Sequence, residues 1–287
     1  MFKRWMVTLA AVLAVPLSGP AGPRGSLFIV GGGDWPTGMM ERFVELASRF
    51  QSGRIVIFPM ASSVPEEVGP EEAAEFSSLG AAAVQVFNLS REEALREDSV
   101  RIIEDAGGVF FSGGDQSRLA DVLVGTPLHR GLLSFYERGG VVGGTSAGAA
   151  VMSEVMITGD EKRQVEEGHE FETITAGNIV TRPGFGFLRS AIIDQHFVRR
   201  KRHNRLISLV IEKPDLLGIG IDEETAVLVR PDRKCEVIGT GCVIVLDAQN
   251  ADIDIGDDGT VHAAGMRMHV LKAGDLFDLE SRTAVEK

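Results

Sequence analysis

The chain has 287 residues, a formal net charge of −12 and two cysteines. The excess of acidic residues excludes nucleic acid as a general partner, because phosphate binding needs a basic face. Two cysteines supply neither a disulfide scaffold nor a cysteine-rich zinc site, and we expect no metal and no other cofactor. A disulfide between Cys235 and Cys242 is possible but not favoured, since the intervening turn does not place them directly opposite one another.

The N-terminus has the three parts of a secretory signal peptide. Lys3 and Arg4 precede an uncharged apolar run over residues 5–17, which is too short for a membrane span and ends among prolines and small residues. We therefore predict a signal peptide over residues 1–23, a secreted or periplasmic protein, and no stable membrane span after cleavage. With no visible linker beyond it, residues 24–287 are predicted to form one domain.

After this leader, apolar runs alternate with amphipathic stretches, which predicts a parallel α/β fold. In chain order, the predicted strands are 26–30, 54–59, 82–89, 108–112 and 140–142. The predicted helices are 40–50, 66–76, 92–106 and 118–138. A charged segment over 160–168 is expected to be a solvated loop. The last third is predicted to add a strand and β-hairpins at the edge of the same sheet, at 217–221, 226–229, 235–238 and 242–246.

The segment around Ser146 matches the pattern G-x-S-x-G, in the sequence Gly-Thr-Ser-Ala-Gly. An apolar strand precedes it and small residues typical of a helix start follow, which is the strand–turn–helix that exposes a nucleophilic hydroxyl. The helix start also supplies N–H groups for a developing oxyanion. A phosphate-binding turn is disfavoured because the Walker lysine and G-x-G-x-x-G spacing are absent. A glycine-rich packing turn remains the alternative.

A serine nucleophile needs a base and an acid that orients it. His196 follows an apolar run over 191–193, which places it at a strand end, where α/β sites form. The acid is one of three residues that follow the strand at 217–221, namely Asp222, Glu223 and Glu224, and the residues alone leave this choice open. The remaining histidines are expected to be surface or structural residues: His129, His169, His203, His262 and His269.

Four segments of the chain together resemble the cyanophycinases, which are serine peptidases on a class I glutamine-amidotransferase-like fold. They occur in the family's order at 111–119, 144–152, 193–197 and 220–226. The resemblance implies a three-layer α/β sandwich with a mostly parallel central sheet. Amidotransferases of this fold carry cysteine where this chain has Ser146.

The resemblance also implies a role for each site residue. Ser146 would attack the scissile carbonyl, His196 would act as base and then as acid, and Glu223 would orient His196. Backbone N–H groups at Gly114 and Ala147 would form the oxyanion hole. The implied reaction is hydrolysis of cyanophycin, an arginyl-poly-aspartate, to β-Asp-Arg dipeptides from a chain end, through an acyl-enzyme.

Residues 199–205 contain five cations in seven positions, although the chain is acidic. A solvated charged face is the ordinary explanation of such a run. Guanidinium groups nevertheless suit the carboxylates of a β-aspartyl chain. The substrate-binding residues that the resemblance implies are Arg200, Arg202, Arg205, Asp115, Gln116 and Asp194.

Other interpretations stay open beside this one. The runner-up enzyme is an α-aspartyl dipeptidase-like serine peptidase on the same fold. The alternative from another class is a glutamine amidotransferase, which the serine at position 146 disfavours, or a binding module with an inactive site. The segment at 160–181 is longer and more charged than the resemblance leads us to expect, and Arg199 and Lys201 add further cations beside the implied substrate-binding arginines. These departures bear on substrate choice more than on mechanism. The expected partner is cyanophycin or another aspartyl peptide, and a homodimer is possible.

Overall fold

The computed structural model describes residues 22–163, 166 and 169–286. Nearly all of the predicted signal peptide therefore lies outside the described residues. Within the described ranges, no helix has both the length and the apolar character needed to cross a membrane.

Strands and helices alternate through the first half of the chain, and strands dominate the second half. The strands are β1 (Ser26–Val30), β2 (Arg54–Phe58), β3 (Val84–Val86), β4 (Ala106–Phe111), β5 (Val141–Thr145), β6 (Val155–Glu161), β7 (Ile179–Pro183), β8 (Ala191–Gln195), β9 (Leu217–Ile221), β10 (Thr225–Val229), β11 (Lys234–Gly239), β12 (Cys242–Asp247), β13 (Asp252–Ile255), β14 (Val261–Ala264), β15 (Arg267–Lys272), β16 (Leu276–Asp278) and β17 (Thr283–Ala284). The helices are α1 (Met39–Ser48), α2 (Pro65–Ser78), α3 (Arg91–Ala94), α4 (Gln116–Leu123), α5 (Pro127–Arg138), α6 (Ala147–Ala150) and α7 (His203–Glu212). A 3-10 helix, Glu97–Ile103, lies between α3 and β4.

In the part of the chain that the structure describes, the main sheet has nine strands in the order β17-β16-β11-β10-β1-β5-β4-β2-β3. Its five strands from β1 to β3 in this order are parallel, and they are the five that the sequence predicted. The remaining four extend the sheet antiparallel from β1. The carboxyl ends of β1, β5 and β4 are therefore neighbours at one edge, where α/β folds form their sites.

The prediction that the late strands join the edge of this sheet is wrong for β9 and β12. They form a second sheet, in the order β15-β12-β9-β8, with β8 parallel to β9. Leu27 and Ile29 of β1 share one buried core with Ile193 of β8 and Ile219 of β9. Because this sheet packs on a face of the main sheet, the carboxyl end of β8 comes close to the carboxyl ends of β1 and β5.

The opposite face of the main sheet is covered by α1 and α2. Alternation along β1 turns Phe28 and Val30 to this side, where they join a separate apolar core. Its centre is aromatic, with Phe43, Phe76 and Phe110 in mutual contact at centroid separations of 5.0–5.5 Å. The main sheet is therefore buried on both faces, which explains the continuous apolar runs of its parallel strands.

Two predicted helices are interrupted. The stretch 92–106 forms only α3 and the 3-10 helix. The stretch 118–138 divides into α4 and α5, because the backbone turns to an extended ψ of 128° at Val124 and then to a φ of +79° at Gly125. The Thr126 side chain then caps α5 by accepting from the His129 N–H at 3.1 Å. The predicted strand 82–89 shortens to the edge strand β3.

Two smaller expectations concern loops and cysteines. The charged segment at 160–168 is not wholly a loop, because β6 continues to Glu161, and four of its residues lie outside the described ranges. Cys235 on β11 and Cys242 on β12 are both free thiols and belong to different sheets.

Candidate active site

Ser146 lies at the tip of a tight turn between β5 and α6. Its φ of 52° is left-handed, and its N–H donates to the Val30 carbonyl at 3.0 Å. Both flanking glycines are sterically required. A Cβ on Gly144 would lie 2.5 Å from the Gly148 carbonyl oxygen, and a Cβ on Gly148 would lie 2.0 Å from the Phe111 carbonyl oxygen. The predicted strand–turn–helix geometry is present, with the hydroxyl at the carboxyl edge of the sheet.

His196 and Glu223 complete a line of hydrogen bonds that starts at this hydroxyl. Ser146 Oγ lies 2.8 Å from His196 Nε2, and His196 Nδ1 lies 2.6 Å from Glu223 Oε1. His196 follows β8 and is almost fully buried, whereas the Glu223 side chain is 27% exposed. The geometry is that of a nucleophile, a base and an orienting acid.

The structure distinguishes the three acids that follow β9. Asp222 Oδ1 accepts from the N–H groups of Val198 and Arg199 at 3.1 and 2.9 Å, so it braces the turn after His196. Glu224 Oε2 accepts from the Thr240 hydroxyl at 3.0 Å. Of these acids, Glu223 is the one that meets the imidazole.

The environment of His196 favours the neutral imidazole. Burial lowers the pKa of His196 below its ordinary value, and the hydrogen bond that His196 donates to Glu223 opposes part of that effect. The nearby charges of Arg200 and Arg202 lower the same pKa further. A neutral imidazole at neutral pH is available to accept a proton.

Gly113 and Gly114 follow β4 and lie beside the nucleophile. A Cβ on Gly113 would lie 3.4 Å from the Ser146 Cβ. Gly114 has a φ of +135°, and its own Cβ would lie only 2.2 Å from the Ala61 carbonyl oxygen. Ala147 is the first residue of α6. The two residues predicted for the oxyanion hole thus belong to the two backbone segments adjoining Ser146.

A buried carboxyl group lies behind the Gly113–Gly114 segment. The Ser112 hydroxyl donates to Glu72 Oε2 at 2.5 Å, and both residues are buried. Burial raises the pKa of Glu72 to about 7, although the hydrogen bond from Ser112 acts in the opposite direction. Sequence analysis did not predict this pair. The two residues are forty positions apart, and although Ser112 lies in the segment 111–119, no motif includes Glu72.

Asp194 and Arg205 form a buried ion pair under the loop that follows His196. Arg205 Nε donates to Asp194 Oδ2 at 2.8 Å, and a second bond joins the other guanidinium nitrogen to Oδ1. The two side chains are 1% and 2% exposed, and the Arg205 guanidinium also lies over the Phe171 ring, 5.0 Å from its centroid. Neither predicted substrate-binding side chain reaches solvent, because each satisfies the other.

Arg200 and Arg202 lie nearer the surface of the site. Arg200 is half exposed, with Nε 3.9 Å from Glu223 Oε1. Arg202 donates to the Gln195 backbone carbonyl at 3.0 Å and to its side-chain oxygen at 2.5 Å. Burial lowers the pKa of Arg202 to about 10, and the charge of Arg205 contributes. Gln195, which sequence analysis did not select, is thereby fixed beside His196.

Asp115 and Gln116 lie at the start of α4, after Gly114. The Gln116 side chain is buried, and its amide nitrogen donates to the carbonyls of Ile157 and Thr158 at 2.8 and 2.7 Å. Asp115 is exposed and caps α4 by accepting from the Ser117 N–H at 2.7 Å. The structure therefore brings the serine, histidine and acid together and arranges the other predicted residues on either side.

The open volume next to the acid is itself acidic. A pocket of about 410 Å³ beside Glu223 is lined by the acids Asp34, Asp222 and Glu224 and by the cation Arg199. No set of three or more His, Cys, Asp or Glu side chains in the described part of the chain is arranged to hold a metal ion.

Comparisons with known proteins identify a family for this chain and support its fold. The model of "Peptidase family S51" matches residues 27–237. A cyanophycinase from Trichormus variabilis is 37% identical over 240 residues, covering 80% of this chain and 77% of the relative. One from Geminocystis herdmanii is 33% identical over 266 residues, covering 89% and 94%. The crystal structure of a peptidase from an acI-B1 Actinobacterium superposes with a TM-score of 0.65 at 24% identity, over 90% of this chain and 98% of the other, and supports the fold.

The family match and the fold together define the class of protein, which is a serine-type peptidase of family S51. Within that class the chain belongs to the cyanophycinase family, as its similarity to the curated relatives shows. The family and the α/β fold predicted from the sequence are confirmed.

Proposed function

We propose that this protein hydrolyses cyanophycin, or a closely similar arginyl-poly-aspartate, to β-Asp-Arg dipeptides through an acyl-enzyme at Ser146. The observation that carries the proposal is the hydrogen-bonded line from Ser146 Oγ through His196 to Glu223, at 2.8 and 2.6 Å. The line lies beside an arginine-rich loop in a chain whose relatives are named cyanophycinases.

Each group of the site has a chemical role in the proposed reaction. Glu223 accepts from Nδ1–H of His196, which leaves Nε2 to accept the hydroxyl proton of Ser146 as the oxygen attacks the carbonyl. Backbone N–H groups of Gly114 and Ala147 bind the oxyanion, and losing one such donor costs about 10²–10³ in turnover. His196 then protonates the leaving amine, and a water activated by the same imidazole hydrolyses the ester.

Substrate recognition is proposed to divide between exposed and buried cations. Arg200 is exposed enough to meet a carboxylate of the substrate backbone, and Arg202 lies close behind it. Asp194 and Arg205 are proposed to support the loop from below rather than to contact substrate, because their charges are matched inside the protein. Asp115 and Gln116 are retained as candidate contacts on the opposite flank.

The direct test is incubation of residues 24–287 with purified cyanophycin, followed by dipeptide analysis. We expect β-Asp-Arg to appear, Ser146→Ala to abolish its release while leaving the folded state intact, and Ser48→Ala to remain fully active. Ser48 is the matched control because its hydroxyl is exposed at the end of α1 and bonds only locally, to the Glu45 carbonyl. Full activity of Ser146→Ala would overturn the mechanism.

A second candidate is an α-aspartyl dipeptidase on the same fold. A panel of Asp-X dipeptides tested beside the polymer distinguishes the two, since turnover of the dipeptides alone would shift the substrate assignment without affecting the triad. Labelling of Ser146 by a serine-directed phosphonate separates either enzyme from a binding module with an inactive site.

We also propose that residues 1–23 are a cleaved signal peptide and that residues 24–287 act as one domain, which the core shared by both sheets supports. N-terminal sequencing of the protein from fractionated cells tests the first point. A start near residue 24 in the exported fraction is expected, and an intact Met1 in the cytoplasm would contradict it.

A further inference from the structure

Three consecutive residues at the end of β1 each bind the backbone at or next to a different member of the triad. The carbonyl of Val30 accepts from the Ser146 N–H at 3.0 Å, and that of Gly31 accepts from the His196 N–H at 2.8 Å. The carbonyl of Gly32 accepts from the Glu224 N–H at 2.8 Å, one residue after the orienting acid. One short segment therefore contacts the backbone at or beside the nucleophile, the base and the acid.

The three backbone positions held in this way share an unusual conformation. Ser146, His196 and Glu224 have φ values of 52°, 48° and 55°, which place three non-glycine residues in the left-handed region. Such conformations persist where surrounding structure holds them. The bonds from the end of β1 are a direct means of holding all three.

The glycines of the same segment, residues 31–33, lie in close contact with His196 and with the residues around Glu223. A Cβ on Gly32 would lie 2.2, 2.6 and 2.8 Å from Cε1, Nε2 and Nδ1 of His196, so the imidazole ring packs directly on the backbone. A Cβ on Gly33 would lie 2.9 Å from the Glu223 Cβ, and one on Gly31 would lie 2.0 Å from the Asp222 carbonyl oxygen. The lack of a side chain at each glycine therefore makes room for a different group, namely the His196 ring, the Glu223 side chain or the Asp222 backbone.

We propose that residues 30–33 are a positioning segment that aligns His196 with Ser146, and that Gly32 sets the position of the imidazole ring. The proposal rests on the triad of the proposed function and extends it to residues that touch no substrate. It follows that a single methyl group on Gly32 displaces the imidazole while leaving every catalytic side chain present.

The test is Gly32→Ala in the mature chain, with Gly80→Ala as the matched control. Both glycines have positive φ, +105° and +91°, but a Cβ on Gly80 meets no atom within 4 Å, so the control carries the backbone strain without the contact. We expect Gly32→Ala to lower kcat by about 10²-fold, the usual effect of a displacement near 1 Å, with KM unchanged. The control should keep wild-type kcat.

A low-field proton NMR signal supplies a second readout. A change in this signal in a variant that is still folded reports a displaced imidazole and not a general loss of stability. The Nδ1 proton between His196 and Glu223 should be visible in the wild type and in Gly80→Ala, and shifted or lost in folded Gly32→Ala. If Gly32→Ala does not fold, Gly33→Ala decides the matter, because its Cβ contact is milder, and we expect a smaller fall in kcat with the same change in signal.

The outcomes separate this inference from the proposed function. A wild type that is inactive on every aspartyl substrate and is not labelled by the phosphonate removes the function itself. An active wild type with equal kcat and an unchanged signal in Gly32→Ala, or in Gly33→Ala where that variant decides, overturns the positioning segment alone. An equal loss in Gly80→Ala also overturns it, because strain without contact would then suffice.

Discussion

Buried carboxyl groups lie on both flanks of Ser146, and they are matched in different ways. On the β8 flank, Asp194 meets the Arg205 guanidinium through two hydrogen bonds. On the β4 flank, the hydrogen-bond partner of Glu72 among the described residues is the Ser112 hydroxyl, and burial raises the pKa of Glu72 to about 7. A buried carboxylate keeps its charge when a cation is supplied and tends to bind a proton when only a hydroxyl is supplied. One flank therefore holds a fixed ion pair, while the other holds a group that titrates near neutral pH.

The triad acid, Glu223, differs from both of these carboxyl groups, because it is partly exposed and its partner is an imidazole. We expect Glu223→Gln to lower kcat by about 10⁴-fold, because an amide does not enforce the Nδ1–H tautomer of His196. Turnover of cyanophycin measures this, with an unchanged unfolding midpoint as evidence of an intact fold.

Glu224→Gln is the matched control for that change. Its carboxylate bonds to the Thr240 hydroxyl and not to the imidazole, so turnover should stay near that of the wild type. A large loss in Glu224→Gln with little in Glu223→Gln would show that the acid had been assigned to the wrong residue.

On the flank that holds the buried ion pair, we expect a substitution to change the stability of the fold. Asp194→Asn leaves the Arg205 guanidinium buried without its counter-charge, which costs about 3–5 kcal/mol in the free energy of unfolding. Denaturant titration of the purified variant measures it. Asp121→Asn removes an exposed partner of Arg182, with side chains 62% and 41% exposed, and should cost no more than about 1 kcal/mol. Equal small losses of unfolding free energy in both variants would mean that the buried pair contributes no more to stability than the exposed one.

The same contrast explains how much the sequence could predict. Ser146 and His196 were accessible because a motif and a strand end identify them, and the five parallel strands followed from their apolar runs. Choosing Glu223 needed the family resemblance, since three acids follow β9 in sequence and only the fold shows which one faces the imidazole. The burial of Arg205 was not accessible, because a run of cations looks the same whether it lies in solvent or over a carboxylate.

The second sheet was missed for a related reason. The strands β9 and β12 have the pattern of strands in either sheet, and pairing partners depend on long-range contacts that local periodicity does not encode. Likewise, the Gly31–Gly33 run directly follows β1 in the sequence, and its contacts with His196 and Glu223 appear only once β8 and β9 are placed.

The titrating flank should make stability depend on pH. The folded state raises the pKa of Glu72 from 4.5 to about 7. The contribution of this group to the free energy of unfolding is therefore fully present below about pH 4.5 and is lost as the pH rises through about 7. The shift corresponds to about 3 kcal/mol. Glu72→Gln should remove this part of the pH dependence, measured as unfolding free energies at the two ends of that range. Glu71→Gln, at an exposed neighbouring position, should retain it, and identical profiles for wild type and Glu72→Gln would contradict the assignment.

The smallest expected effect concerns the exposed cations beside the triad. Arg200 lowers the pKa of His196, so Arg200→Gln should raise that pKa and move the acid limb of the kcat/KM profile to higher pH. Arg199→Gln is the matched control, since this more exposed cation lies against the other oxygen of Glu223. The shift should be small and should shrink as salt is added, because exposed charges are screened. A limb that moves to lower pH in Arg200→Gln, or moves equally in both variants, would mean that Arg200 does not act on the imidazole as a charge.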